Sequence, residues 1–186
     1  MLPKKADTIR RQAAAALEDL PGWANRAIGD LLSHLHALDG RITEYDLHIR
    51  HLAQADARSV RLMQMPGIGP ITASALLASV GNGHDFKCGR QLSAWLGLVP
   101  GQYGSGGVVR LGYITKAGDP YLRTLLILGA RSVLASAPNK TDRLSRWACS
   151  VHERRGYGKA LVAIAAKNAR MAWAVLAKGE AFAPLT

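Results

Sequence analysis

The sequence predicts a mainly α-helical protein, an N-terminal coiled-coil arm followed by a helical bundle that contains a helix-hairpin-helix turn and a glycine-rich loop. Three observations carry this reading. Apolar residues recur in alternating steps of three and four from Ile28 to Leu52, glycine and proline cluster tightly at Pro66–Pro70, and capped apolar helices resume after a glycine run at 101–118.

The arm comes first. Ile28, Leu31, Leu35, Leu38, Ile42, Tyr45, Ile49 and Leu52 form a heptad seam, the narrow stripe with which two helices pack knobs into holes. Gly29 and Gly40 fall at outward positions, and Pro21-Gly22 breaks the chain ahead of the helix. A coiled-coil dimer and a helical hairpin folded against Ala13–Leu20 both fit, and the regular register favours the dimer. The domain boundaries expected are 1–56 for the arm, 57–180 for the bundle and 181–186 for a tail.

Beyond the arm, Pro66-Gly67-Ile68-Gly69 opens the helix that starts at Pro70 and can end at Gly81. A short helix is expected over Gly89–Leu96, terminated by Gly97. Residues 101–118 are too glycine-rich for helix and could hold at most a short hairpin. Asp119 is a good N-cap, Pro120 suits the first helical position, and Leu122, Leu125, Leu126, Leu128 and Val133 are expected to supply a buried face. Helices over Thr141–Arg154 and Lys159–Lys178 complete the bundle.

Charge narrows the partners. Residues 1–85 carry nine Lys/Arg and nine Asp/Glu, whereas residues 86–186 carry fifteen against four, so the second half holds the whole net charge of +11. A one-signed surface favours a polyanion, and nucleic acid is the common one. Cys88 and Cys149 stand far apart without CxxC or CxxH spacing, which gives no support to a zinc site or disulfide framework. A reduced cytoplasmic protein is expected, with no secretion signal and no membrane span.

The chemistry-bearing candidates follow from these segments. In the Pro66-Gly67-Ile68-Gly69 turn, glycines allow backbone N–H groups to approach a phosphate at a helix N-terminus; alternatively they only permit the turn while Ile68 plugs the core. Ser105, between Gly104 and Gly106-Gly107, sits on backbone that a large substrate can approach, with Arg110 and Lys116 nearby. By local pattern alone such a serine is a turn former. A serine hydrolase is excluded more firmly, since no histidine lies between Asp85 and Val151 and no Gly-x-Ser-x-Gly elbow is present. Asp119, Asp142, Glu153 and Glu180 are too scattered to hold a metal pair, so no metal or other cofactor is expected on this chain.

The ordered run Phe86-x-x-x-Arg90-Gln91-Leu92-Ser93-Ala94-Trp95-Leu96-Gly97-Leu98-Val99-Pro100, then Ser105-Gly106-Gly107, Arg110-Leu111-Gly112, Ile114-Thr115-Lys116-x-Gly118-Asp119 and Tyr121-Leu122-Arg123-x-Leu125-Leu126, resembles the C-terminal transposase domain of the insertion-sequence family numbered one hundred and ten, kin to the Piv and MooV DNA invertases. The resemblance covers about Leu62 to Leu176. It implies that Ser105 is the catalytic serine, beside which Arg90, Gly106, Gly107, Arg110, Lys116, Arg123 and the Pro66–Gly69 turn are expected, from charge and backbone pattern, to contact DNA. It also implies double-stranded DNA as partner, a bridge RNA guide in some members, a homo-oligomer through the coiled coil, and a nucleoid-associated place in a bacterial cytoplasm. In the family this serine works beside a RuvC-like domain bearing four acidic Mg2+ ligands, joined through the coiled coil. The chain opens just before that coil, so it is expected to be truncated and inactive alone. The alternative is a non-catalytic DNA- or RNA-binding dimerisation module. Where many relatives resemble Ser-Ser-Gly-Gly, this sequence has Gly104, which leaves Ser105 as the single candidate in the loop.

Overall fold

The computed structural model describes residues 12–13, 21–105 and 108–182, with the side chain of Ser105 left outside the description. The chain divides into two compact units, residues 1–48 and 49–186. In the first, helix α1 (Gly22–Ala55) begins after Pro21 and runs on into the second unit. Among the described residues most of its heptad stripe is uncovered: Leu31, Leu35, Leu38, Ile42, Tyr45 and Leu52 are exposed, and Ile28 and Ile49 are partly buried. The alternative helical hairpin falls largely on residues outside the description.

The second unit holds the core. Asp56 caps α2 (Ala57–Met63), accepting the Arg58 backbone N–H. The turn then leads to α3 (Pro70–Val80) and α4 (Gly89–Trp95). A two-stranded antiparallel sheet follows, β1 (Pro100–Ser105) and β2 (Val108–Ile114), and after it α5 (Pro120–Ser136), a short 3-10 turn at Ala137–Asn139, α6 (Arg143–Arg155) and α7 (Tyr157–Lys178). The glycine-rich segment is thus a β-ribbon between helices.

Helix α7 is the centre around which α2, α4, α5 and α6 pack. Its buried face, Ala160, Leu161, Ile164, Ala165, Asn168, Ala169 and Ala172, repeats at helical spacing. The alanines let neighbouring helices approach closely. By length and apolarity α7 could cross a membrane, yet half of its most apolar stretch is buried inside the protein, as in a core helix.

Two close approaches fix the packing. Gly67, at φ +81°, lies against the backbone of Gly129 in α5, where a Cβ would stand 2.6 Å from the Gly129 carbonyl oxygen. Asn168, fully buried, donates from Nδ2 to the Pro66 carbonyl at 3.0 Å and so ties the same turn to α7.

Asp119 and Pro120 start α5 as expected, with Oδ1 of Asp119 accepting the N–H groups of Tyr121 and Leu122. The buried face differs from the expectation. Leu122, Leu126, Ala130, Val133 and Leu134 are buried, whereas Leu128 is 49% exposed. Six residues after Leu122, it has turned about 240° around the helix, to the far side. Helix α6 starts one residue after Asp142, which caps it through Leu144 and Ser145, and α7 starts at Tyr157 directly after Gly156.

Candidate nucleic-acid interface

The ribbon is clamped at its root. After α4, Gly97 takes a left-handed φ of +68° with the Ala117 backbone packed where a side chain would be. Gly118, at φ +72°, lies equally close to the Trp95 carbonyl. Backbone bonds close the base, Thr115 N–H to the Val99 carbonyl at 2.9 Å and Lys116 N–H to the Gly97 carbonyl at 3.2 Å. Arg123 reaches back from α5 and donates through Nη1 to the carbonyls of Leu96 (3.2 Å) and Ala117 (3.0 Å). It joins both ends of the ribbon to α5.

Above this root the strands pair Pro100 with Ile114, Gln102 with Leu111, Tyr103 with Arg110, Gly104 with Val109 and Ser105 with Val108, with a bulge between Pro100 and Gln102. Gly106 and Gly107, which follow the last paired position of β1 in the sequence, lie outside the described residues. Because side chains alternate across a strand, the register assigns position 105 to the same ribbon face as Tyr103, Val108 and Arg110. The Tyr103 ring lies by Gly112 of the opposite strand, where a Cβ would come within 2.8 Å of it.

Little of the ribbon is covered. Tyr103, Val108, Val109, Leu111 and Tyr113 are exposed, and only Ile114 of β2 is partly buried. Arg110 and Lys116 are exposed cations, the first near the tip and the second at the root, where it adopts φ +55°. Arg90 is exposed on α4, one helix away in the chain.

The expected residues therefore separate into groups. Ser105 and Arg110 share the ribbon near its tip. Arg123 is engaged with carbonyls at the root, so its guanidinium serves the architecture of the site. In the turn, Gly67 meets Gly129 and Ile68 is 5% exposed in the core, while Gly69, with open space at its Cα, caps α3 ahead of Pro70. Gly69 is exposed at the start of this eleven-residue helix. Among the described residues no group of three or more His, Cys, Asp and Glu is placed to hold a metal ion. A separate cationic hollow between α6 and α7, around Lys167, has no counterpart in the sequence reading, because its residues are brought together only by helix packing.

Comparison with known proteins agrees with this organisation. Residues 59–146, which run from α2 through the ribbon and α5 into α6, match the family model described as transposase IS116/IS110/IS902 family. A Pseudomonas aeruginosa protein named "Probable family 20 transposase" is 46% identical over 165 residues, 89% of this chain and 49% of that protein. The transposase for insertion sequence element IS1111A of Coxiella burnetii is 43% identical over 157 residues, 84% of this chain and 43% of the relative. The transposase for insertion sequence element IS1328 of Yersinia enterocolitica is 34% identical over 182 residues, 97% of this chain and 54% of the relative. The chain spans about half the length of these curated relatives. The clamped ribbon, its serine and its helical base all lie inside the matched segment, and the chain carries the C-terminal transposase domain that the IS116/IS110/IS902 family model describes.

Proposed function

We propose that this chain binds DNA and supplies the serine nucleophile for strand exchange in an insertion-sequence transposase, with Ser105 at the tip of the ribbon and Arg110 on the same face. The observation that carries the reading is the register, which sets positions 105 and 110 together on an exposed β-ribbon clamped to the core. In the step proposed, the Ser105 hydroxyl oxygen forms a bond to a DNA phosphorus as the sugar oxygen leaves. The serine proton passes to a base supplied from outside this chain, and Arg110 balances the charge gathered on the phosphate. Lys116, Arg90 and the backbone at Gly69 hold neighbouring phosphates. The RuvC-like domain of the resemblance would bring Mg2+, which neutralises the attacking and leaving oxygens. A guide RNA belongs to the same proposal, as does self-association through the α1 stripe.

The test joins the chain to the RuvC-like domain of a close relative and compares it with the chain alone. The chain alone is expected to bind duplex DNA with an affinity that falls by orders of magnitude as salt rises, roughly, if six or more phosphates are engaged, and to cleave nothing. The joined protein is expected to form a covalent adduct with DNA. Ser105→Ala should abolish the adduct and leave binding within about twofold, since one hydroxyl adds little to a multi-phosphate contact. An adduct that survives Ser105→Ala removes the nucleophile assignment. The second reading, a non-catalytic module that binds DNA and dimerises, is favoured by the exposed seam of α1, and a joined protein that binds but never reacts would select it.

A further inference from the structure

Between the start of α6 and the middle of α7 lies a groove of about 660 Å³, lined in part by Gln64, Pro66, Asp142, Arg143, Lys167 and Phe182. A shallower hollow of about 410 Å³ adjoins it, lined by Trp147, Lys167, Arg170, Met171 and Ala174. Lys167 belongs to both. Its ammonium stands 4.2 Å from the centre of the Trp147 ring, a cation–π contact that fixes where the charge sits. Arg143 precedes Trp147 by one helical turn on α6, and Arg170 follows Lys167 by three residues on α7, so the two arginines flank the ammonium from different helices.

The charges here are out of balance. Partial burial holds the Lys167 ammonium below the ordinary lysine range, and the positive charges of Arg170 and Arg143 push it in the same direction. Among the described residues no carboxylate pairs with Lys167. Asp142 borders the groove, yet its carboxylate is occupied: it accepts the Ser145 hydroxyl at 2.6 Å and the N–H groups of Leu144 and Ser145 at 3.0 Å each. Glu180, exposed, lies on the wall that also holds Phe182. Bringing three cations together without a partnered anion costs folding energy that packing does not require, since a neutral side chain would fill the same space. An anion with two or more acceptor oxygens reverses the sign of every one of those interactions.

We propose that this double hollow seats the phosphodiester backbone of a nucleic-acid strand, with Lys167, Arg170 and Arg143 converging on one phosphate or two adjacent ones. Trp147 acts as a positioning residue, holding the ammonium toward the opening. The site is independent of Ser105 and of the ribbon, and it gives the protein a second place to grip a strand. Phosphate chemistry is common to DNA and RNA, single or paired, so the probe decides which strand is held.

The experiment measures fluorescence anisotropy of three short labelled probes, a DNA duplex, a DNA single strand and an RNA single strand, across a salt series with the full chain. Lys167→Gln with Arg170→Gln is compared with wild type and with Arg131→Gln plus Lys159→Gln, which removes the same charge from exposed positions outside the hollow. The groove variant is expected to lose about tenfold or more in affinity for at least one probe, and its salt slope to shrink by about one if one phosphate is held and about two if two are. The control should lose less than about threefold through long-range charge alone. Lys167→Arg should keep binding. Should Lys167→Gln impair folding, seen as an altered thermal melt, Arg170→Gln alone gives the same reading with about half the change in slope. A groove variant indistinguishable from the control on all three probes overturns the proposal. A further variant, Arg110→Gln with Lys116→Gln, reports on the ribbon separately: its failure to weaken duplex binding counts against the ribbon's role and leaves the groove result standing.

Discussion

Asp56 and Arg58 form a close local pair, in which Nη2 and Nε of the arginine donate to the two carboxylate oxygens at 2.7 and 3.1 Å. These bonds and the Arg58 backbone N–H lower the Asp56 pKa to about 2. A folded value below the unfolded one means that the stability is present above the ordinary carboxylate range and is lost as pH falls through 4 toward about 2. Thermal melts are expected to show a decline over that window that is smaller in Asp56→Asn; the side chains are 33% and 43% exposed, so solvent screening keeps the effect small. An identical acid profile in the variant would place the loss elsewhere. At this scale some roles were plain in the sequence. Asp119 before Pro120 is a cap by its chemistry. Arg123 was not legible, because its partner Leu96 stands twenty-seven residues away and only the folded root brings that carbonyl within reach.

Among the elements, the crossing of the Pro66–Pro70 turn with α5 leaves no room for a side chain on either glycine. Gly129→Ala would drive a methyl into the Gly67 backbone, and Gly67→Ala would add a left-handed backbone penalty to the reciprocal clash. Each is expected to cost about 1–3 kcal/mol, seen as a melting point lowered by several degrees. Gly158→Ala, in the first turn of α7 with nothing within 4 Å, should be neutral or stabilising. If all three melt alike, the crossing is not the constraint. The turn was visible in the sequence as Pro-Gly-Ile-Gly-Pro, but its glycine at 67 could be read as a phosphate cradle because Gly129, its packing partner, lies sixty-two residues on. The ribbon was legible only as a glycine run with room for a short hairpin. Its apolar residues are exposed on both faces, so it shows none of the half-buried alternation by which strands are recognised.

For the molecule as a whole, the uncovered stripe of α1 leads to an expectation about assembly. Leu35 and Ile42 are 39% and 58% exposed. If a second copy covers them, Leu35→Asp with Ile42→Asp should shift sedimentation from dimer to monomer, because a seam cannot hold unpaired charge. Wild-type protein that already sediments as monomer would exclude a second copy as the partner. The seam and the asymmetric charge were both readable from residue order, since each repeats along the chain. The hollow around Lys167 was not, as Trp147 and Lys167 come from different helices and meet only through packing. The clamped root of the ribbon bears on how substitutions would be interpreted. Ser105 stands five residues beyond Pro100, about 17 Å along the strand at ~3.3 Å per residue. The ribbon is a cantilever, and a root tilt of about 5° carries its tip through roughly 1.5 Å, comparable to a displacement that costs about a hundredfold in rate. On the proposed role of Ser105, changes at Gly97, Gly118 or Arg123 would then mimic loss of that serine in an activity screen, although all three lie at the root of the ribbon and not at its tip.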